Sequence, residues 1–359
     1  MKRSLLILAA CVCIFTTAVK AGNEPVRAKS DKIWGDNKKK LTYLEGNVRI
    51  EQGTTVITSD STQVDLDQKI ATFKDKLRLN SPEIAITADY LEYNFKKKAG
   101  TFLRNVIVNR NELKDARGNV TKDGFKLTAE NFYFESDTKD FRVQNQGMVV
   151  HKDFNGTADQ IEYDDPKQEL LFTGNATITR PSGERINGDE IEINTKTCSI
   201  LVKEKARLIN EDVTITGDNL NYDYKLKHGV FGNHVIVERA ESKNVGGKVT
   251  KEHFKLTTVG LYFESGSKNF VTQGKGTLEH KDFAGSAEHI EYNDKLQQMK
   301  LKNNAYLKRP KGEEIRGDMI TIYIQDKSFT VNNHADINYK VDSDDKDQTQ
   351  DYKKRKHFP

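Results

Sequence analysis

A carboxylate recurs along this chain at near-regular spacing, at Asp60, Asp89, Glu130, Asp159, Asp189, Asp218, Glu288 and Asp318. Stacked acids can supply general acid–base pairs or a ladder of calcium ligands, so they are the first residues to weigh for chemistry. Val259 holds one place in the series and glutamate holds two. Catalysis or metal binding would not tolerate a valine there. The Gly-Gly-x-Gly-x-Asp repeat of calcium-binding β-helices is absent as well. A secreted β-solenoid enzyme acting on polysaccharide would need its acids gathered on one exposed groove, whereas these follow the strands one unit at a time. The acids Asp60, Asp89, Asp159, Asp189, Asp218 and Asp318 read as structural corners.

The other candidate groups are few. His151 and His280 recur in His-Lys-Asp-Phe runs and read as solvated turns. Cys11 and Cys13 lie near the N-terminus, which leaves Cys198 alone, without a partner for a disulfide or a thiolate cage. It reads as a small residue at a strand end. Lys122, Lys248 and Lys251 could meet phosphates or simply keep loops soluble. No Walker-type glycine loop or metal constellation is present, so neither a cofactor nor an enzymatic activity is expected.

The elements that carry these residues are duplicated. Phe125-Lys126-Leu127-Thr128 returns as Phe254-Lys255-Leu256-Thr257, 129 residues later. Tyr133-Phe134-Glu135-Ser136, His151-Lys152-Asp153-Phe154 and Ile161-Glu162-Tyr163 return at the same offset, and the register holds from Arg78/Arg207 to Ile193/Ile322. Inside this duplication the acids repeat at intervals of 29, 41, 29 and 30, twice over. Each long interval holds an extra polar segment, 111–124 or 240–253, expected to form a longer loop at one rim.

Apolar residues alternate around each acid, as in Ile84, Ile86 and Ala88 before Asp89, then Leu91 and Tyr93 after it. Period two predicts a strand with one buried face. The buried parity shifts across the acid, which predicts a bulge or corner, with the acid accepting hydrogen bonds from turn amides. Gly46-Asn47, Arg104-Asn105 and Gly174-Asn175 read as hairpin turns entering new strands, as do the segments from His234 and Asn304. Arg180-Pro181-Ser182-Gly183-Glu184 and Arg309-Pro310-Lys311-Gly312-Glu313 read as proline–glycine turns.

The expected body is therefore all-β, an elongated antiparallel meander folded into two facing sheets. Its interior face collects Ile86, Leu91, Tyr93, Val106, Val108, Leu127, Phe132, Phe134, Ile161, Tyr163, Phe172, Ile178, Ile191 and Ile193 in the first copy. In the second it collects Ile215, Leu220, Tyr222, Leu256, Leu261, Phe263, Ile290, Tyr292, Ile320 and Ile322. Such a stripe can form a closed sandwich core or line an open slot.

The ends differ from this body. Lys2 and Arg3 precede an apolar run at 4–19, 16 residues long and short of the ~20 that span a bilayer. Val19-Lys20-Ala21 then suits a signal peptidase, so 1–21 is expected to be removed. A retained anchor and a lipoprotein box at Cys11 are the alternatives. Loss of Lys2, Arg3 and Lys20 with no acid lowers the formal charge from +4 to +1. Near balance argues against a nucleic-acid partner, which selects concentrated positive charge. Charged residues make up 31% and hydrophobic ones 36% of the chain, which suits a thin β structure with a charged exterior. Expected domains are a first module at 22–202, a second at 203–340, and a disordered polar tail at 341–359.

Three segments together are similar to the LptA/OstA-like family of periplasmic lipopolysaccharide-transport proteins. They are Gly156-Thr157-Ala158-Asp159-Gln160-Ile161-Glu162-Tyr163, then Leu171-Phe172-Thr173-Gly174-Asn175-Ala176-Thr177-Ile178, then Ile186-Asn187-Gly188-Asp189-Glu190-Ile191. Leu44-Glu45-Gly46-Asn47-Val48-Arg49-Ile50 resembles the family's first strands, and the second copy matches again at 285–292 and 315–318. The resemblance implies an open β-jellyroll whose interior shields acyl chains, and a periplasmic location. It also implies head-to-tail stacking, an inner-membrane partner of LptC type and an outer-membrane partner of LptD type. A membrane-tethered LptC-like receiver and a structural β filament are the rival roles. N-terminal sequencing of the exported chain is expected to read Gly22; a retained Met1 would favour the tethered receiver.

Overall fold

The computed structural model describes residues 24–339, so the expected signal at 1–21 and the tail at 341–359 lie outside the described residues. All regular structure among the described residues is β-strand. No helix there is long and apolar enough to cross a membrane. The chain divides into two compact units, Met1–Lys203 and Glu204–Pro359.

In the first unit the strands run as an antiparallel meander. Leu41–Gln52, Thr55–Asp65, Ile70–Asn80, Ile84–Asn94, Ala99–Arg110, Phe125–Glu135 and Phe141–His151 each pair with the next. The second unit repeats the plan, with His228–Arg239 against Phe254–Glu264 and Gln298–Lys308 against Glu314–Tyr323.

The expected corner is present and its cause is visible in the register. Lys74 faces Tyr90 and Leu77 faces Ala88, so the single residue Asp89 opposes the pair Asp75-Lys76. On its other side the ladder skips Arg104-Asn105. Both pairs are left-handed, with φ of 62° and 45°, then 64° and 50°. Two residues against one kink the strand and exchange its faces. Ile86 and Ala88 point inward before the kink, and Leu91 and Tyr93 point inward after it.

This overturns the hairpin reading of the Gly-Asn pairs. Gly46-Asn47 lies within Leu41–Gln52, Arg104-Asn105 within Ala99–Arg110, and Gly174-Asn175 within Glu169–Thr179. His234 and Asn304 are likewise mid-strand. Glycine and asparagine report a left-handed backbone, which a bulge and a hairpin turn require equally.

The chain reverses elsewhere, along two margins. One margin carries tight turns at 66–69, 95–98 and 165–168. Each opens on an Asp or Asn whose side chain accepts a backbone N–H three residues on: Gln68 to Asp65 (2.8 Å), Lys97 to Asn94 (2.9 Å) and Lys167 to Asp164 (3.0 Å). Cys198 closes another of these turns at φ 59°, directly before Ser199–Val202. The opposite margin holds the turn at 180–184, as expected, with Gly183 at φ 92° and the Arg180 N–H bonded to the Glu184 carbonyl at 2.9 Å. It also holds 111–124, and the corresponding margin of the second unit holds 240–253, each carrying a short two-stranded hairpin.

Each kinked strand thus contributes one half to each of two faces, and the faces meet inside the unit. Phe125, beside one margin, packs edge-on against Tyr163 beside the other (centroids 5.3 Å), and Phe254 meets Tyr292 in the same way at 5.1 Å. Glycine makes room for two other interior rings, Tyr93 and Phe263. A Cβ on Gly100 would lie 2.9 Å from the Tyr93 ring and 2.8 Å from the Glu92 carbonyl; one on Gly229 would lie 2.8 Å from Phe263. Gly100→Ala and Gly229→Ala are each expected to cost about 1–3 kcal/mol by overpacking, read as a lowered urea midpoint. An unchanged midpoint would show that the rings can shift.

Candidate functional site

Within each unit the interior side chains named from sequence converge on one core. In the first, Ile86, Leu91, Tyr93, Val106, Val108, Leu127, Phe132, Phe134, Ile161, Phe172, Ile178, Ile191 and Ile193 are 0–1% exposed, and Tyr163 is 4% exposed. In the second, Ile215, Leu220, Tyr222, Leu256, Leu261, Phe263, Ile290, Tyr292, Ile320 and Ile322 are 0–3% exposed. Phe73, Phe102, Phe141, Phe231 and Phe270 are equally buried and belong with them. They obey the same period-two parity, which is the signal that finds them.

These side chains fill their interior in this structure. Phe141 stacks on Tyr163 at 5.1 Å, and Phe132 packs on Phe141 at 5.3 Å. A void beside Leu208, Ile215 and Phe263 measures about 10 Å³, at the limit for one water. A larger hollow, about 280 Å³, is lined by the outward side chains Tyr133, Glu162, Glu169 and Glu192. There the shared hydrogen bond with Glu192 pushes the Glu169 carboxyl up to about 7.

The corner acids string along the outside of the kinks, half-buried or exposed. For Asp60, Asp89, Asp159, Asp218 and Asp318 the partner is a side chain 16 residues further on, rather than a turn amide. Asn105 donates to Asp89 (2.8 Å) and Asn175 to Asp159 (2.8 Å), while Lys76 pairs with Asp60 (3.1 Å). His234 lies 2.9 Å from Asp218 and His334 2.9 Å from Asp318. Asp31, which the acid series omitted, joins it by accepting from Asn47 at 2.9 Å. Each bond ties the first residue of a corner to the two-residue bulge beside it. The acids hold the corners.

A second polar constellation, unforeseen from sequence, sits where the two margins of each unit face one another. In the first unit Arg110, fully buried, is held by Asp165 and lies 3.7 Å from Glu83, with its guanidinium 5.1 Å from the Tyr163 ring. Lys122 pairs with the same Asp165. The second unit repeats the set at the duplication offset. Arg239 pairs with Asp294 and with Asp212 (2.9 Å), Lys251 with Asp294 (2.9 Å), and Lys268 with Asp212 (3.0 Å). Burial would raise the Asp212 carboxyl, but Lys268 and Arg239 outweigh it and hold it well below the usual carboxylate range. Lys122 and Lys251 are therefore members of ion clusters, not free rim charges, and Lys248 alone of the three is exposed. Recurrence of Arg110/Arg239 and Asp165/Asp294 at one offset was the available signal.

The histidines also depart from the solvated-turn reading. His151 is buried, stacks on Phe154 at 4.7 Å and accepts the Asp153 N–H on Nδ1 at 3.2 Å. That leaves Nε2–H to face Asp123 at 3.4 Å, and His280 faces Glu252 at 2.8 Å in the same way. Each histidine with its two acids resembles a metal triad by composition. The tautomer set by the backbone N–H instead turns the Nε2–H of each ring toward a carboxylate that Lys152 or Lys281 also faces.

Residues 26–198 and 214–328 match the family model described as LptA/(LptD N-terminal domain) LPS transport protein. The chain belongs to this family. It is a transport family, and the two matched stretches fall one in each unit. Among solved structures, the chain aligns with LptH of Pseudomonas aeruginosa, the LptA homologous periplasmic component of the lipopolysaccharide transport device. Identity is 15% over 48% of this chain and 77% of that one, with a TM-score of 0.14. It also aligns with the extracellular domain of the putative one component system BT4673 from B. thetaiotaomicron, at 6% identity over 90% and 72%, TM-score 0.11. Superpositions this loose add nothing about either fold or role. No curated protein matches the chain.

Burial holds His151 and His280 below the ordinary imidazole range, against the pull of their carboxylates. A depressed histidine binds its proton less well folded than unfolded, so stability is lost as pH falls below the unfolded value near 6.5. His334, raised by its bond to Asp318, titrates with the opposite sign. The melting temperature should therefore fall between pH 7 and 5, and fall less steeply in a His151→Gln, His280→Gln variant. Equal slopes would remove the histidines from the account.

Proposed function

We propose that this chain is a periplasmic carrier that shields lipopolysaccharide acyl chains while they pass from the inner to the outer membrane. The observation that carries the reading is family membership across two successive stretches, each supplying an apolar interior bounded by polar corners and turns. An exposed twelve-carbon acyl chain costs roughly 10 kcal/mol in water at ~0.8 kcal/mol per CH₂. Interior residues such as Phe134, Tyr163, Leu256 and Phe263 remove that cost when they exchange contacts with one another for contacts with lipid. The exchange requires the two faces of a unit to part, with sugar and phosphate left in water at the margin. Direction then comes from partners: an exporter component of LptC type at the inner membrane, one of LptD type at the outer membrane, and head-to-tail copies of this chain between them.

A photo-crosslinking amino acid placed at Phe134, Tyr163 or Phe263 in cells is expected to capture lipopolysaccharide. The same group at the outward Met148 or Val150 should capture none. Failure at all three interior positions, with the variants folded and exported, would overturn the carrier role and favour a structural filament.

A further inference from the structure

We infer that the two inserted hairpins, 111–124 and 240–253, are straps that clasp the mouth of each unit and set when acyl chains can enter. The inference rests on the carrier reading and names its gate.

The two faces of a unit are joined in different ways at their two borders. Along the corners the chain passes from one face to the other, either within one strand, as in Ile84–Asn94, or across a short break, as between Val213–Gly217 and Asn219–Asp223, and backbone ladders run on both sides. Across the margins the contacts come from side chains. Gln52 Nε2 donates to the Phe95 carbonyl (3.0 Å) and Asn210 Nδ2 to the Ser265 carbonyl (2.7 Å). A seam of single side-chain bonds parts before a strand ladder does, so the corners act as hinge and the margins as mouth.

The straps reinforce this seam at the same place in each copy. Both insertions leave one margin and contact the other. Lys122 reaches Asp165, and Gln168 Nε2 donates to the Thr121 carbonyl at 3.1 Å. Lys251 reaches Asp294 at 2.9 Å, and Gln325 Nε2 donates to the Thr250 carbonyl at 2.6 Å. Each strap is rooted in its own margin by the Asp123–His151 or Glu252–His280 pair. Beyond those bonds it buries almost nothing: Val120 is 45% exposed and Val245 fully so. A segment held only by polar contacts from its returning strand, Val120–Lys122 or Val249–Lys251, can lift without disturbing the core. Once it lifts, Arg110 and Arg239 remain as the inner bonds of the mouth, directly above Tyr163 and Tyr292.

The test uses the full exported chain in a Cys198→Ser background, with Thr121→Cys/Gln168→Cys and Thr250→Cys/Gln325→Cys joined by a short bismaleimide that carries a reducible disulfide. Uptake of a fluorescent lipopolysaccharide from detergent is followed, with circular dichroism as the folding control. Joined straps should slow uptake at least tenfold, and reductant should restore it. Unchanged uptake with both straps joined would overturn the gate and leave the carrier reading intact. A parent chain that takes up no lipid at all would instead overturn the carrier reading, and the gate with it. A Lys122→Met, Lys251→Met, Gln168→Ala, Gln325→Ala variant approaches from the other side: it should load faster than the parent, and slower loading would count against the straps as barriers.

Discussion

The architecture depends on one backbone constraint, the opposition of two residues, both left-handed at most corners, to a single residue that is usually an acid. A strand without it would present alternate side chains to opposite sides along its whole length. Half of each strand would then point its isoleucines and phenylalanines at water. The bulge moves the pattern by one residue where the strand bends, so both halves face the same interior. Where an aspartate sits outside the kink, an Asn, His or Lys 16 residues later ties it to the bulge, as at Asp60, Asp89, Asp159 and Asp218. Left-handed L-residues cost about 1–2 kcal/mol each, and the corner offsets this through the contacts that two correctly facing half-strands make. Val259 shows that the carboxylate is dispensable at a single corner when its neighbours are in place.

A second balance sets the apolar interior against the polar mouth. Fully buried Arg110 and Arg239 are unusual in an all-apolar core, since an unpaired buried guanidinium is costly. Each is matched by carboxylates from the facing margin and capped by an aromatic ring. Ion pairs of this kind add little net stability, because the cost of desolvating both charges offsets their attraction. A mouth closed by hydrophobic packing would resist opening in proportion to its area. One closed by charge and hydrogen bonds can exchange its partners with water or with a lipid headgroup. That distinction suits the carrier role proposed for this chain, which needs an interior dry when empty and accessible when loading.

Duplication repeats the whole device in the same chain, straps, arginines and histidines included. The two copies diverge mostly on the outward faces, where Glu169 and Glu192 of the first unit become Gln298 and Thr321 in the second. Inward positions stay mostly apolar, although Phe132 and Phe172 are matched by Leu261 and Leu301, and Val143 by the buried Thr272.

What the sequence by itself determined is the local pattern: strands from period two, corners from the parity shift, and a repeat from exact offsets. Those features are legible because each is set by residues close in the chain, through backbone sterics and the pleat. The nature of the Gly-Asn pairs was not legible, because a left-handed residue serves a turn and a bulge alike and only the strand partners distinguish them. Nor were the Arg110–Asp165–Lys122 cluster and the buried His151 legible. Their members are tens of residues apart, and what makes a charge paired rather than solvated is the margin brought against it. Tertiary structure also decided that the interior is filled, since the same alternating stripe can line a slot or close a core until the two faces meet.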